Sequence, residues 1–183
     1  MAAKVECAPY NEQAFKHALA EIRKMTTLPA NEWKARIEFL CAGAGVAVIW
    51  IQEMPKAGVS GITRWLSKDK ALILLSLKYK RNDQVWFSYF HEACHVLKHG
   101  KKLIFYERGK LDQDEMEKQA DDFAANILIP REHAGKLLFL KGSRADICAF
   151  AASIGIAPGI VVGRMQHDRI ILPSHCNDLK VTF

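Results

Sequence analysis

The segment NDQVWFSYFHEACHVLKHG, Asn82 to Gly100, constrains this chain more than any other. Trp86, Phe90, Ala93 and Leu97 recur at helical spacing, and Phe87, Cys94 and Val96 widen the stripe. A helix this apolar is largely buried. Asn82 or Asp83 is expected to cap it, and Gly100 to stop it after His99. Yet the same helix carries His91, Glu92 and His95. Buried polar groups need partners, so the fold must bring a second, complementary element against them.

Helix geometry limits what those groups can do. Residues four apart lie one turn above each other on one face. His91 and His95 can therefore offer two imidazole nitrogens to one metal ion. Glu92 lies about 100° around the helix, able to reach a water on that ion without being a ligand. This is the His-Glu-x-x-His arrangement of zinc peptidases. At this chain's His and Glu content the pattern arises by chance about 0.02 times. The other reading, a surface helix with hydrogen-bonded histidines, conflicts with the apolar stripe.

A catalytic zinc ion takes three protein ligands and leaves one position for water. The third ligand comes from elsewhere, and EKQADDFAANIL, Glu117 to Leu128, supplies a candidate. A helix is expected from about Asp112 to Leu128, stopped by Pro130. Its apolar positions are Ala120, Phe123, Ala124, Ile127 and Leu128. Glu117, three before Ala120 and seven before Ala124, is expected on the buried stripe, where a carboxylate needs a partner or a metal. The alternative for Glu117 is a carboxylate favoured by the helix dipole. Asp121, one turn on, can accept the far N–H of a liganding histidine and fix its tautomer. Asp114, Glu115 and Asp122 fall off the stripe, toward solvent.

The remaining pattern is α+β, a small antiparallel sheet packed with helices. Phe15, Leu19 and Ile22 mark a helix that ends by Leu28-Pro29, and a second helix runs from an Asn31 cap to about Ala42. Strands are expected at Val46–Ile51, Gly58–Leu66 and Lys70–Leu77, the last two joined as a hairpin by Ser67-Lys68-Asp69. Near the C-terminus, Arg144–Ser153 and Ala157–Gln166 read as helices flanking a turn at Gly155. The expected organisation is a helical extension over 1–30, a peptidase core over 31–140 and a helical subdomain over 141–183.

Composition excludes several classes. Half the residues are apolar and a quarter charged, which rules out a disordered or low-complexity chain. The longest uncharged apolar run, Phe39 to Gln52, is too short to span a bilayer, and MAAKVECAPYNEQ lacks a secretory pattern, so a cytoplasmic location is expected. The net charge of +6 is spread in short runs such as Lys78 to Arg81 and Lys101-Lys102, which read as solvated surface. Five cysteines without a CxxC pair indicate free thiols. Cys94, between the histidines, reads as a small core residue, with a redox-sensitive thiol as its alternative.

HEACHVLKHG followed by EKQADDFAANILIP resembles the ImmA/IrrE family of metallo-endopeptidases, of the gluzincin group. Leu40 to Gly45, VSGITRWLS from Val59 and IGIAPGIVVGRMQ from Ile154 extend the resemblance over about residues 31–180. It implies that His91, His95 and Glu117 bind one zinc ion, another divalent metal being the alternative. It implies Glu92 as the catalytic carboxylate and Asp121 as a partner of a ligand. It further implies a protein substrate, a helix-turn-helix (Xre-type) transcriptional repressor, cleaved in stress response or in mobile-element or toxin–antitoxin regulation. Residues 1–30 show no helix-turn-helix pattern. The repressor is then a separate protein, or this is the peptidase portion of a longer chain.

Some roles stay open on sequence. Tyr106, His99, Arg131 and His133 are candidates to stabilise an oxyanion. Gly61–Leu66 or Ala71–Leu75 could pair with an extended substrate. Ala151, Gly155, Ile156 and Val161 have helix-turn-helix spacing, but the second helix carries Arg164 as its only charge, which favours packing or partner docking over DNA binding. A non-catalytic metal-binding regulatory or repressor-binding module, one arm of a toxin–antitoxin-like pair, is the alternative to an enzyme.

Overall fold

Seven α-helices and three strands occupy the residues that the computed structural model describes, 5–52, 60–77, 81–100, 110–140 and 142–182. Gly58 and Val59 of the expected second strand, Lys78 to Lys80, Lys101-Lys102 and Tyr106 lie outside them.

Helix α1 (Glu12–Lys24) starts where Asn11 Oδ1 accepts the Ala14 N–H at 2.9 Å. It buries Phe15, Ala18, Leu19 and Ile22. Each of the three large side chains stabilises the docked helix by about 2 kcal/mol. Arg23 adds a polar clamp. Its Nε donates to the Ile127 carbonyl at 2.6 Å, and its Nη2 to the carbonyls of Leu128 and Ile154 at 3.0 Å each. One guanidinium thus serves carbonyls at the C-terminal ends of α4 (Lys110–Leu128) and α6 (Arg144–Ser153), which no intrahelical N–H can reach. Helix α2 (Ala30–Gly43) is capped at Pro29, two residues before the expected Asn31 cap. The Pro29 carbonyl already accepts from the N–H groups of Glu32 and Trp33.

Strands β1 (Val46–Ile51), β2 (Gly61–Ser67) and β3 (Lys70–Ser76) form one sheet in the order β1-β3-β2. The β2–β3 hairpin is antiparallel, as expected from its turn. β1 instead runs parallel to β3, Val46 opposite Ala71 through Ile51 opposite Ser76, so the sheet is mixed. β3 is hydrogen-bonded on both sides, which removes Ala71–Leu75 as a place for an added strand. Among the described residues β2 is an edge strand.

Helix α3 (Asn82–Cys94) packs across this sheet and continues as a π-helical turn, His95–His99, closed by Gly100 donating to the His95 carbonyl at 2.9 Å. Arg81, not Asn82 or Asp83, holds the cap position, and its N–H donates to Gln84 Oε1. Asn82 is buried instead. A Cβ on Gly159 would lie 2.5 Å from its Oδ1, and one on Gly163 would lie 2.6 Å from Asp83 Oδ2. These glycines let α7 (Pro158–His167) pack closely on α3, preceded by the short α5 (Arg131–Ala134) and by α6. The α6–α7 pair bends by 111° about Gly155, whose φ is +67°. α7 buries Ile160, Val161, Val162 and Met165, and Arg164 pairs with Asp168 at 2.6 Å. One face of α7 is thus taken up in packing. Lys180 anchors the tail, its Nζ 2.6 Å from Asp83 Oδ2 and both side chains nearly buried.

Candidate metal centre

The roll of α3 is set by its core face. Trp86, Tyr89, Phe90 and Ala93 are each at most 1 % exposed. Phe87, expected in the core, lies 37 % exposed, its ring centroid 6.4 Å from that of His91. On this roll His91 and His95 meet α4, which buries Met116, Ala120, Ala124 and Leu128. Glu117 is therefore not on the buried stripe. It follows Met116 by about 100° around the helix, at the margin of the interface. Its side chain is half exposed and reaches the two histidines.

The convergence is close. His91 Nε2 lies 3.1 Å from His95 Nε2 and 3.1 Å from Glu117 Oε2, and His95 Nε2 lies 3.5 Å from Glu117 Oε1. A tetrahedral ion with bonds near 2.05 Å separates its ligand atoms by about 3.3 Å, so this spacing fits one divalent metal. Protonation fits too. Asp121 Oδ1 sits 2.8 Å from His91 Nδ1. A carboxylate accepts, so His91 Nδ1 is the nitrogen that donates to Asp121, and Nε2 is the one that faces the cluster. Burial first, then the neighbouring His91 and His99, pulls the pKa of His95 down to about 4. His95 therefore stays neutral near pH 7 and keeps the unprotonated nitrogen that a metal requires. Among the described residues these three form a candidate metal site, their ligand atoms all within 4.8 Å of one another.

Glu92 is buried and turns toward the sheet edge. Thr63 Oγ1 of β2 lies 2.7 Å from its Oε2 and 3.0 Å from its carbonyl oxygen, and the single hydroxyl proton serves one of them at a time. Gly61 provides the space. A Cβ there would stand 2.6 Å from Glu92 Cγ and 2.7 Å from Oε1. Neither contact is signalled by the sequence beyond a glycine inside a strand, which marks close approach of another group.

Cys94 is fully buried, with its Sγ 3.7 Å from the Gln119 carbonyl, and burial pushes its thiol pKa up to about 11. This environment is that of the small core residue. His99 faces His95 and Gln119 with both ring nitrogens. Arg131 bonds Asn126, and no described contact brings it or His133 to the cluster. Beside the site, a cavity of about 450 Å³ opens between α3, α4 and α7. Leu128, Ile129 and Ile160 floor it, and Phe87, Lys118 and Asp121 rim it.

Two histidines on one helix, a carboxylate from its neighbour and a glutamate between sheet and helix are the working arrangement of His-Glu-x-x-His metallopeptidases. The chain matches the IrrE N-terminal-like domain, peptidase M78, over residues 41–149, and it belongs to that metallopeptidase family. The family resemblance of the two motifs thus holds, and the family implies a protein substrate. No curated protein aligns significantly with the chain.

Proposed function

We propose that the protein is a zinc-dependent endopeptidase that makes a limited cut in one specific protein, a helix-turn-helix transcriptional repressor, within stress response or mobile-element regulation. The observation that carries the hydrolytic reading is the convergence of His91, His95 and Glu117 beside a buried, oriented Glu92.

His91 Nε2, His95 Nε2 and a Glu117 oxygen would hold the ion, with Asp121 fixing the His91 tautomer. A bound zinc ion supplies Lewis acidity toward water and carbonyl oxygen. Glu92 takes the proton of the attacking water and delivers it to the leaving amine. Thr63 and Gly61 hold that carboxylate in place. β2 has one partner strand, β3, among the described residues, and its outer side, Gly61–Leu66, is the segment for adding an extended peptide as a further strand. The adjoining apolar cavity takes a side chain of the same peptide.

The test is incubation of the purified chain with the repressor encoded beside it, with zinc and with a chelator. One discrete, chelator-sensitive cut, absent in Glu92→Gln, is expected. The non-catalytic module predicts instead that Glu92→Gln retains full function. The packing of α7 on α3 disfavours direct DNA binding.

A further inference from the structure

We propose that His99 and Gln119 are positioning residues for the metal site, holding His95 in the one tautomer that leaves its Nε2 free to bind a divalent ion. This rests on the reading of His95 as a ligand.

The hydrogen-bond directions can be worked inward from the surface. The Nε2 of Gln119 lies 3.4 Å from Glu115 Oε1, and a carboxylate only accepts, so the amide nitrogen faces Glu115. The amide oxygen then faces His99, 3.2 Å from its Nε2. Oxygen accepts, so His99 Nε2 carries the proton. A neutral imidazole carries only one, which leaves His99 Nδ1 as a bare acceptor. That atom lies 2.9 Å from His95 Nδ1, which must donate. With its proton on Nδ1, His95 bears a lone pair on Nε2, the atom 3.1 Å from His91 Nε2 and 3.5 Å from Glu117 Oε1. With His99 neutral, each direction follows from the one before.

The backbone serves the same end. α3 gives way to a π-helical turn at His95, and within it the His95 and His99 rings approach to 4.9 Å between centroids. π-turns concentrate at functional sites, where they re-aim side chains. His99 is only 6 % exposed. α4 thereby contacts the histidines with three side chains spaced two apart. Glu117 reaches both rings, Asp121 anchors His91 directly, and Gln119 anchors His95 through His99. Gln119 leaves the helix on another side from Glu117 and Asp121, which is why the second anchor needs an intermediary.

Two measurements test this. In ¹⁵N-labelled, metal-free wild-type protein, imidazole ¹H–¹⁵N correlations should show His95 protonated at Nδ1 and His99 at Nε2. Zinc affinity, read by competition with a chromogenic chelator, should fall about 10- to 100-fold in His99→Leu, which keeps bulk but removes the acceptor. Gln119→Leu should weaken binding in the same direction. His99→Asn, which keeps an acceptor near the Nδ1 position, should recover most of the loss. His95 found as the Nε2–H tautomer, or wild-type zinc affinity in a folded His99→Leu protein, would overturn the proposal. The first measurement needs no variant, so a misfolded His99→Leu does not blunt the test. If the wild-type chain takes up no zinc, the metal reading itself falls and this falls with it. If wild type and His99→Leu bind equally, only the positioning role falls.

Discussion

Gly61→Ala is the smallest change that strikes the proposed chemistry without touching a metal ligand. The added Cβ would meet Glu92 Cγ at 2.6 Å, Oε1 at 2.7 Å and Cδ at 2.9 Å. Carbon atoms in good contact sit near 3.5 Å, so the glutamate side chain must retreat by about 0.9 Å. It has little room, since Thr63 Oγ1 already stands 2.7 Å from Oε2 and the residue is buried. A misplacement of that size at a reacting group costs about 100-fold in rate, close to 2.7 kcal/mol of transition-state stabilisation. Gly61 lies in an ordinary strand without positive φ, so alanine brings no backbone strain and the effect is confined to the contact. The assay is kcat/KM for repressor cleavage, read beside zinc content and a denaturation curve. The expected result is a loss of about two orders of magnitude with one zinc still bound, and a stability loss within the 1–3 kcal/mol of ordinary overpacking. Wild-type kcat/KM in Gly61→Ala would show that the placement of Glu92 against β2 does not matter, and would refute the reasoning.

Other expectations concern the scaffold and the thiol. Arg23→Ala removes three hydrogen bonds to helix-end carbonyls and should destabilise the fold by about 2–4 kcal/mol in chemical denaturation, while zinc affinity at 25 °C stays unchanged. Lys180→Met leaves Asp83 buried without its ammonium partner and should cost about 3 kcal/mol, with Asp83→Asn in the same background restoring part of it. The Cys94 thiol, raised to about 11, stays protonated at neutral pH, so iodoacetamide should modify it slowly at pH 7.5 and faster only as the pH climbs toward 11. Rapid alkylation of Cys94 at neutral pH would revive the redox-sensor reading.

Much of this site is written in local periodicity. His91 and His95 share a face because any helix puts residues four apart together, and the apolar run around them forces a helix. Asp121 was legible for the same reason, one turn beyond Glu117. The exposure of Glu117 was not. A rotation of one residue separates the buried stripe through Met116 from the margin that faces the histidines, and only the packing of α4 on α3 sets that roll. The parallel β1–β3 pairing was hidden because three short apolar strands look alike until the helices choose their neighbours. Gly61, Thr63 and Gln119 were missed because their roles lie in contacts across 20 to 31 positions of sequence, made by residue types common in any strand or helix. Asn31 and Asn82 have cap chemistry, yet the caps are Pro29 and Arg81. Asn82 was needed inside, against Gly159.

Zinc uptake tests the centre of the account most directly. Wild type and Glu92→Gln, titrated with zinc against a competing chelator, should each bind one equivalent with similar affinity. Glu117→Ala and His91→Ala should lose stoichiometric binding. One equivalent of tightly held zinc in both alanine variants would contradict the assignment of His91, His95 and Glu117 to a single ion.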